Sequence, residues 1–321
     1  MLINFLLFLF GITLLTAGGE ALIRGSLAAA KRLGVSPLLS GLVIVGFGTS
    51  APELVVSVNA AIDGRPDIAI GNVVGSNIGN IMLILGVCAL ITPLAVKPLA
   101  LRRDAVTVVA AGMLFSILVG GSALGRMDAA MFLGALAAYL AWAYWSERFH
   151  AAPSGELHQA EGEELSTVPK SVLWTVIATV LGLLLLVTGS QIFLTGAIGL
   201  AAHFGVPEAV IGLTLVAVGT SLPELSISVI AAIRRHADVA VGNILGSNIF
   251  NLLGILGVSA LLQPLPVHQR ILQFDQWVML GASLLLLFFL YTGRRLTRAE
   301  GGMFLMGYGI YVWLSYTVFD S

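Results

Sequence analysis

Ten runs of about 20 apolar residues dominate this chain of 321 residues, at roughly 3–22, 38–62, 68–92, 104–120, 129–146, 171–194, 208–232, 239–263, 275–293 and 300–319. An apolar helix of ~20 residues crosses the hydrocarbon core of a bilayer. Backbone polar groups in lipid must bond internally, and the alternating strands of a barrel are missing here. Each run is therefore predicted to be a helix. Only 10% of the residues are charged, against about 25% in a soluble domain. That is too little polar surface to cover a water-soluble globule. The first run, MLINFLLFLFGITLLTAGG, has no basic start and outlasts the apolar part of a signal peptide, so it reads as the first span. The predicted fold class is all-α integral membrane, with ten transmembrane helices in a cell (inner or plasma) membrane. A net charge of −1 gives no reason to expect nucleic acid, and no protein partner is evident. The single cysteine, Cys88, lies in an apolar run and can form no disulfide within the chain.

Basic residues orient the spans, because inner loops are enriched in Lys and Arg. With the N-terminus outside, the inner loops hold Arg24, Lys31, Arg32, Lys97, Arg102, Arg103, Arg148, Lys170, Arg234, Arg235, Arg294, Arg295 and Arg298. The outer loops hold Arg65, Arg126 and Arg270, a split of 13 to 3. An even number of spans then puts both termini outside. The one long connection, about 147–170, is acidic at Glu156, Glu161, Glu163 and Glu164. It is too short for a folded sensor domain and lacks EF-hand spacing, so it reads as a solvated linker.

The two halves repeat at an offset of 171 residues. Gly48-Thr49-Ser50-Ala51-Pro52-Glu53-Leu54 matches Gly219-Thr220-Ser221-Leu222-Pro223-Glu224-Leu225, and Gly71-Asn72-Val73-Val74-Gly75-Ser76-Asn77 matches Gly242-Asn243-Ile244-Leu245-Gly246-Ser247-Asn248. The predicted organisation is an N-terminal five-helix repeat over 1–147 with its motif at 46–80, a cytoplasmic linker over 148–170, and a C-terminal repeat over 171–321 with its motif at 217–251. Five spans per half force the second to enter the membrane from the other side, so the repeats are inverted. Secondary transporters with inverted repeats bind their cargo near the midplane, where the repeats meet.

Glu53 falls in the middle third of its span, where a charge costs on the order of 3 kcal/mol. Pro52 lacks an N–H and clashes one turn back, so carbonyls near residues 46–48 are predicted to be free of helical partners. Thr49 shares a helical face with Glu53. The arrangement recurs at Thr220, Pro223 and Glu224. On the next spans, Asn72, Ser76 and Asn80, and then Asn243, Ser247 and Asn251, recur at intervals of four and line one face. Carboxylate, hydroxyl, amide and backbone oxygens suit hard cations such as Ca²⁺ and Na⁺. Zinc and copper are disfavoured, because no His lies inside a span and no thiolate accompanies the motif. Every Asp lies at a span edge or in a loop and no Ser–His pair is available, which argues against an intramembrane protease, and no enzyme is expected.

With these motifs the chain resembles the prokaryotic sodium/calcium exchangers of the cation/calcium exchanger (CaCA) superfamily. The resemblance covers essentially the whole chain. It implies that Glu53 and Glu224 are central ligands for Ca²⁺ and Na⁺. Thr49, Ser50, Thr220 and Ser221 would bind Na⁺, Gly46 and Ala217 would offer backbone carbonyls, and Ser76, Asn80, Ser247 and Asn251 would complete the sites. Spans one and six resemble long helices that slide across the core, with Gly18, Gly19, Gly25, Gly189 and Gly196 at their contacts. Some members carry an Asp where Asn80 or Asn251 stands, so this site has one potential charge fewer. The expected activity is antiport of Ca²⁺ against Na⁺ by alternating access, with no cofactor. A Ca²⁺/H⁺ antiporter using the same glutamates, or a passive cation channel, are the alternatives.

Overall fold

The structure is a computed structural model that describes residues 1–35, 37–95, 98–121, 123–150, 171–204 and 219–318. Nearly all of them are helical. Helix α1 (Leu2–Leu33) and helix α7 (Val172–His203) have 32 residues each. At 1.5 Å per residue each is about 48 Å long, well beyond the ~30 Å hydrocarbon core. The sequence reading placed Arg24, Lys31 and Arg32 in a loop, but they lie on α1. The stretch after residue 22 is rich in alanine and leucine and meets no left-handed residue before Gly34, whose φ of 65° ends the helix.

A turn at Pro37–Ser40 leads into α2 (Gly41–Thr49), which breaks at Ser50 and resumes as α3 (Ala51–Ile62), bent by 48°. The chain continues through α4 (Pro66–Ile91), α5 (Pro98–Leu118) and α6 (Arg126–His150). After α7 come α8 (Leu222–Ile233), α9 (Ala237–Leu262), α10 (Ile271–Gly293) and α11 (Arg298–Val318). Among the described residues seven helices are long and apolar enough to cross a membrane, or eight with α2 and α3 counted as one. The predicted span 208–232 begins outside the described residues, as does most of the 148–170 linker.

Helix α9 is the centre of the bundle. It packs on α2, α3, α4, α5, α6 and α8 and is almost wholly buried. Large apolar side chains on the other helices face outward, among them Leu184, Phe288 and Met306. All five tryptophans are exposed, at the ends of α6, α7, α10 and α11. That is the distribution of an interfacial belt.

Helices α1 and α7 run antiparallel and touch backbone to backbone. Glycines recur every seven residues on both, at 11, 18 and 25 and at 182, 189 and 196. A Cβ on Gly18 would sit 2.8 Å from the Leu186 nitrogen, and one on Gly189 would sit 3.0 Å from that of Leu15. Gly18, Gly25, Gly189 and Gly196 therefore stand at the contact that the sequence suggested, and Gly11 and Gly182 join them. Gly19 instead meets Ile230 of α8.

Two polar clasps, the first of them buried, tie the peripheral hairpins. In one, the Tyr139 hydroxyl of α6 donates to Asp104 of α5 at 2.8 Å, and the Arg103 guanidinium holds the same carboxylate at 2.6 and 3.0 Å. In the other, Tyr311 of α11 donates to Asp275 at 3.0 Å and Arg270 donates at 3.2 Å. Both aspartates are buried although each stands near the start of its span. Short antiparallel strand pairs add to these ties. Leu94–Ala95 (β1) pairs with Arg295–Leu296 (β4), and Ala123–Leu124 (β2) pairs with Leu265–Pro266 (β3).

Candidate cation site

The break at Ser50 follows from Pro52, which occupies the first turn of α3. Proline is favoured there, since its missing N–H would have no partner anyway. Pro223 does the same for α8, after Ser221. Glu53 and Glu224 thus fall in the first turns of two helices, where a negative charge is favoured. Both side chains are fully buried.

Each glutamate is held from the other half. The Ser50 hydroxyl donates to Glu224 Oε1 at 2.9 Å, and Ser221 donates to Glu53 Oε1 at 3.2 Å. The hydroxyls of Thr220 beside Glu53, and of Thr49 and Ser247 beside Glu224, complete the ring of oxygens. Asn72 braces Glu53 by donating to its backbone carbonyl at 3.3 Å and to Ser57 at 2.9 Å. Asn243 does so for Glu224, at 3.2 Å, and for Ser228, at 2.7 Å. Residues 50 and 221, 53 and 224, and 72 and 243 are each 171 apart, so these contacts come in exchanged pairs.

The amides make a second layer. Asn80 donates to the Asn248 Oδ1 at 3.0 Å, and Asn248 donates to the Asn77 carbonyl at 3.3 Å. Asn80 and Asn251 lie in wide π-helical turns, Asn80–Leu85 and Phe250–Ile255. Such turns interrupt the usual backbone pairing and occur often at functional sites. Five buried side-chain oxygens in these motifs have no partner: Glu53 Oε2, Glu224 Oε2 and the Oδ1 atoms of Asn77, Asn80 and Asn251. A buried polar atom left unpaired costs about 1–3 kcal/mol. A cation bound among them would remove that cost, and all five are hard oxygen donors.

Of the residues singled out from sequence, Glu53, Glu224, Thr49, Ser50, Thr220, Ser221 and Ser247 come together. Asn80 joins the amide layer, Asn251 is buried with neither amide atom hydrogen-bonded, and Ser76 is half-buried on α4. Ala217 lies outside the described residues. The carbonyl of Gly46, expected to be free, is not. It accepts from the Ser50 N–H at 3.2 Å and from the Ser247 hydroxyl at 3.0 Å. A carbonyl has two lone pairs, and the opposite half supplies the second donor. Sequence reasoning missed the bracing role of Asn72 and Asn243 and the link between Asn80 and Asn248. The repetition of each at an offset of 171 was the available signal.

Long apolar helices around a buried nest of unpaired oxygens are the architecture of a membrane ion transporter. The family model described as sodium/calcium exchanger protein matches residues 3–145 and 174–317. A putative antiporter, CaxA, of Alkalimonas amylolytica is 39% identical over 99% of this chain and 100% of its own length. The sodium/calcium exchanger MaX1 of Methanosarcina acetivorans is 34% identical over 95% of this chain and 96% of its own. A solved structure of the sodium-calcium exchanger NCX_Mj superposes with a TM-score of 0.82 at 30% identity, covering 97% of this chain and 98% of that one. The chain belongs to the sodium/calcium exchanger family. It is a multi-pass membrane protein of a class that exchanges Ca²⁺ with other cations, and its relatives are transporters rather than enzymes.

Proposed function

We propose that this protein exchanges Ca²⁺ for Na⁺ by alternating access, at a site near the midplane centred on Glu53 and Glu224. The observation that carries the reading is the exchanged pair of contacts, Ser50 to Glu224 and Ser221 to Glu53, with one oxygen of each carboxylate left unpartnered. Two carboxylates balance one Ca²⁺ or two Na⁺. Both loads need the same oxygens, so one leaves before the other binds. An empty pair of like charges is costly to carry through an occluded state, which ties the two fluxes together. The remaining ligands in this reading are Thr49, Thr220, Ser76, Ser247, Asn80, Asn251 and the backbone oxygens of Gly46 and Ala217.

The same reading takes the chain as ten spans in two inverted five-helix repeats, with both termini outside. The antiparallel contact of α1 with α7, whose glycines correspond at an offset of 171, supports the inversion. The division of basic residues, 13 against 3, supports the orientation. The name of MaX1 and the match to NCX_Mj favour Na⁺ as the counter-ion. Proton exchange is the second reading, because each glutamate keeps a free oxygen that can take a proton.

The test is Ca²⁺ uptake into vesicles loaded with Na⁺, with Na⁺ and H⁺ gradients imposed in turn. Uptake should follow the Na⁺ gradient and be lost in Glu53→Gln and in Glu224→Gln, with the variants still monodisperse. Robust exchange in both variants would overturn the site. Uptake driven by H⁺ alone would select the second reading, and flux needing no counter-ion would mean a channel.

A further inference from the structure

Glu20 of α1 is a charge that the cation site does not use. Arg24, one turn further along α1, donates to its Oε1 through Nε at 2.9 Å and Nη2 at 2.7 Å. On its other oxygen, Oε2, Arg234 Nη2 lies at 3.3 Å. Arg234 is the C-terminal cap of α8, the helix whose first turn holds Glu224. One carboxylate thus ties α1 to the far end of the helix that presents a central glutamate.

Beside this tie the two helices part. A cleft of about 820 Å³ opens between them, lined by Ile12, Thr13, Thr16, Ala17, Ile230 and Ile233 together with the ion pair itself. Thr13 and Thr16 donate to carbonyls of their own helix, Leu9 and Ile12. Among the lining residues, Glu20 and Arg234 make the polar link across the cleft. Where α1 does approach α8, at Gly19 on Ile230, the contact is apolar and has no directional hold.

The tie belongs to one half alone. The positions 171 residues from Glu20, Arg24 and Arg234 are Gln191, Thr195 and Asp63. A Gln and an Asp cannot form an ion pair. If the two halves exchange roles between access states, as in the reading above on which this inference rests, an ion pair in one half makes the states unequal.

We propose that Glu20 and Arg234 form a one-sided latch, which holds α1 against α8 and favours the access state closed at that end. Glu20 is partly exposed, and ion pairs of that kind shift an equilibrium by about two- to five-fold. That is enough to set a resting state without locking it.

Spin labels at Leu33, the end of α1, and Ile91, the end of α4, on a Cys88→Ala background, read the position of α1 without requiring transport. Glu20→Gln and Arg234→Gln should each raise the minor distance population by about two- to five-fold. The double variant should go no further than either single, because both act through one contact. Identical distributions in all proteins, or additive shifts, would overturn the latch. The two substitutions lie on different helices, so a folding failure in one leaves the other informative. Sodium-driven Ca²⁺ uptake is measured on the same proteins. A normal wild-type uptake with unmoved distances sinks the latch alone. Shifted distances without wild-type uptake keep the latch and sink the exchange reading.

Discussion

A protonated glutamate has lost the negative charge that a cation needs, and this governs how the site should respond to acid. Glu53 and Glu224 are buried together, and each retains an oxygen that no donor occupies. If Ca²⁺ binds these oxygens as proposed, protons compete with it for the same atoms. Lowering the pH from neutral to mildly acidic should reduce Ca²⁺ uptake at fixed Ca²⁺, and raising Ca²⁺ should restore it. A rate flat across that range would count against the carboxylates as ligands. The two glutamates were legible in the sequence because lipid tolerates an unexplained charge so poorly. Their partners were less so. Asn72 resembles Asn80 in spacing and type, yet it braces a backbone carbonyl whereas Asn80 spans the two halves. Periodicity gives the face of a helix but not what stands opposite that face.

At the scale of elements, the helical membrane fold was readable from the apolar runs and the ties between helices were not. Asp104 stood at the start of an apolar run and read as an edge residue. It is buried because Tyr139 and Arg103, on the neighbouring helix and beside it, satisfy it. Tyr139→Phe removes one donor to a charged acceptor, worth about 1.5–3 kcal/mol. The expected result is a lower Tm in detergent with the ion dependence of exchange unchanged. The glycines of α1 were noticed as small residues, but their interval of seven, matched on α7, needed both helices in view. A leucine at Gly18 or Gly189 has no room, since backbone atoms already stand within 3.0 Å of a Cβ. Overpacking of that kind costs roughly 1–3 kcal/mol. Both substitutions should lower Tm and slow exchange, and a rate equal to wild type would exclude a tight α1–α7 contact during transport.

At the scale of the whole molecule, the decisive facts are those that link the halves. Hydropathy and charge, from which the expected span count and orientation were read, are additive along the chain. The contacts of Ser50 with Glu224 and of Ser221 with Glu53 are not, because they join residues 174 and 168 positions apart. They have the form i to j and j to i, the signature of an isologous interface between two copies of one subunit. On the proposed reading of two inverted repeats, the chain is a homodimer written into a single polypeptide, its halves differing at places such as Glu20 and Gln191. On that reading the interface should hold without the covalent link. Residues 1–150 and 171–321, expressed as two chains, should assemble into a heterodimer with Na⁺-driven Ca²⁺ uptake, and neither should transport alone.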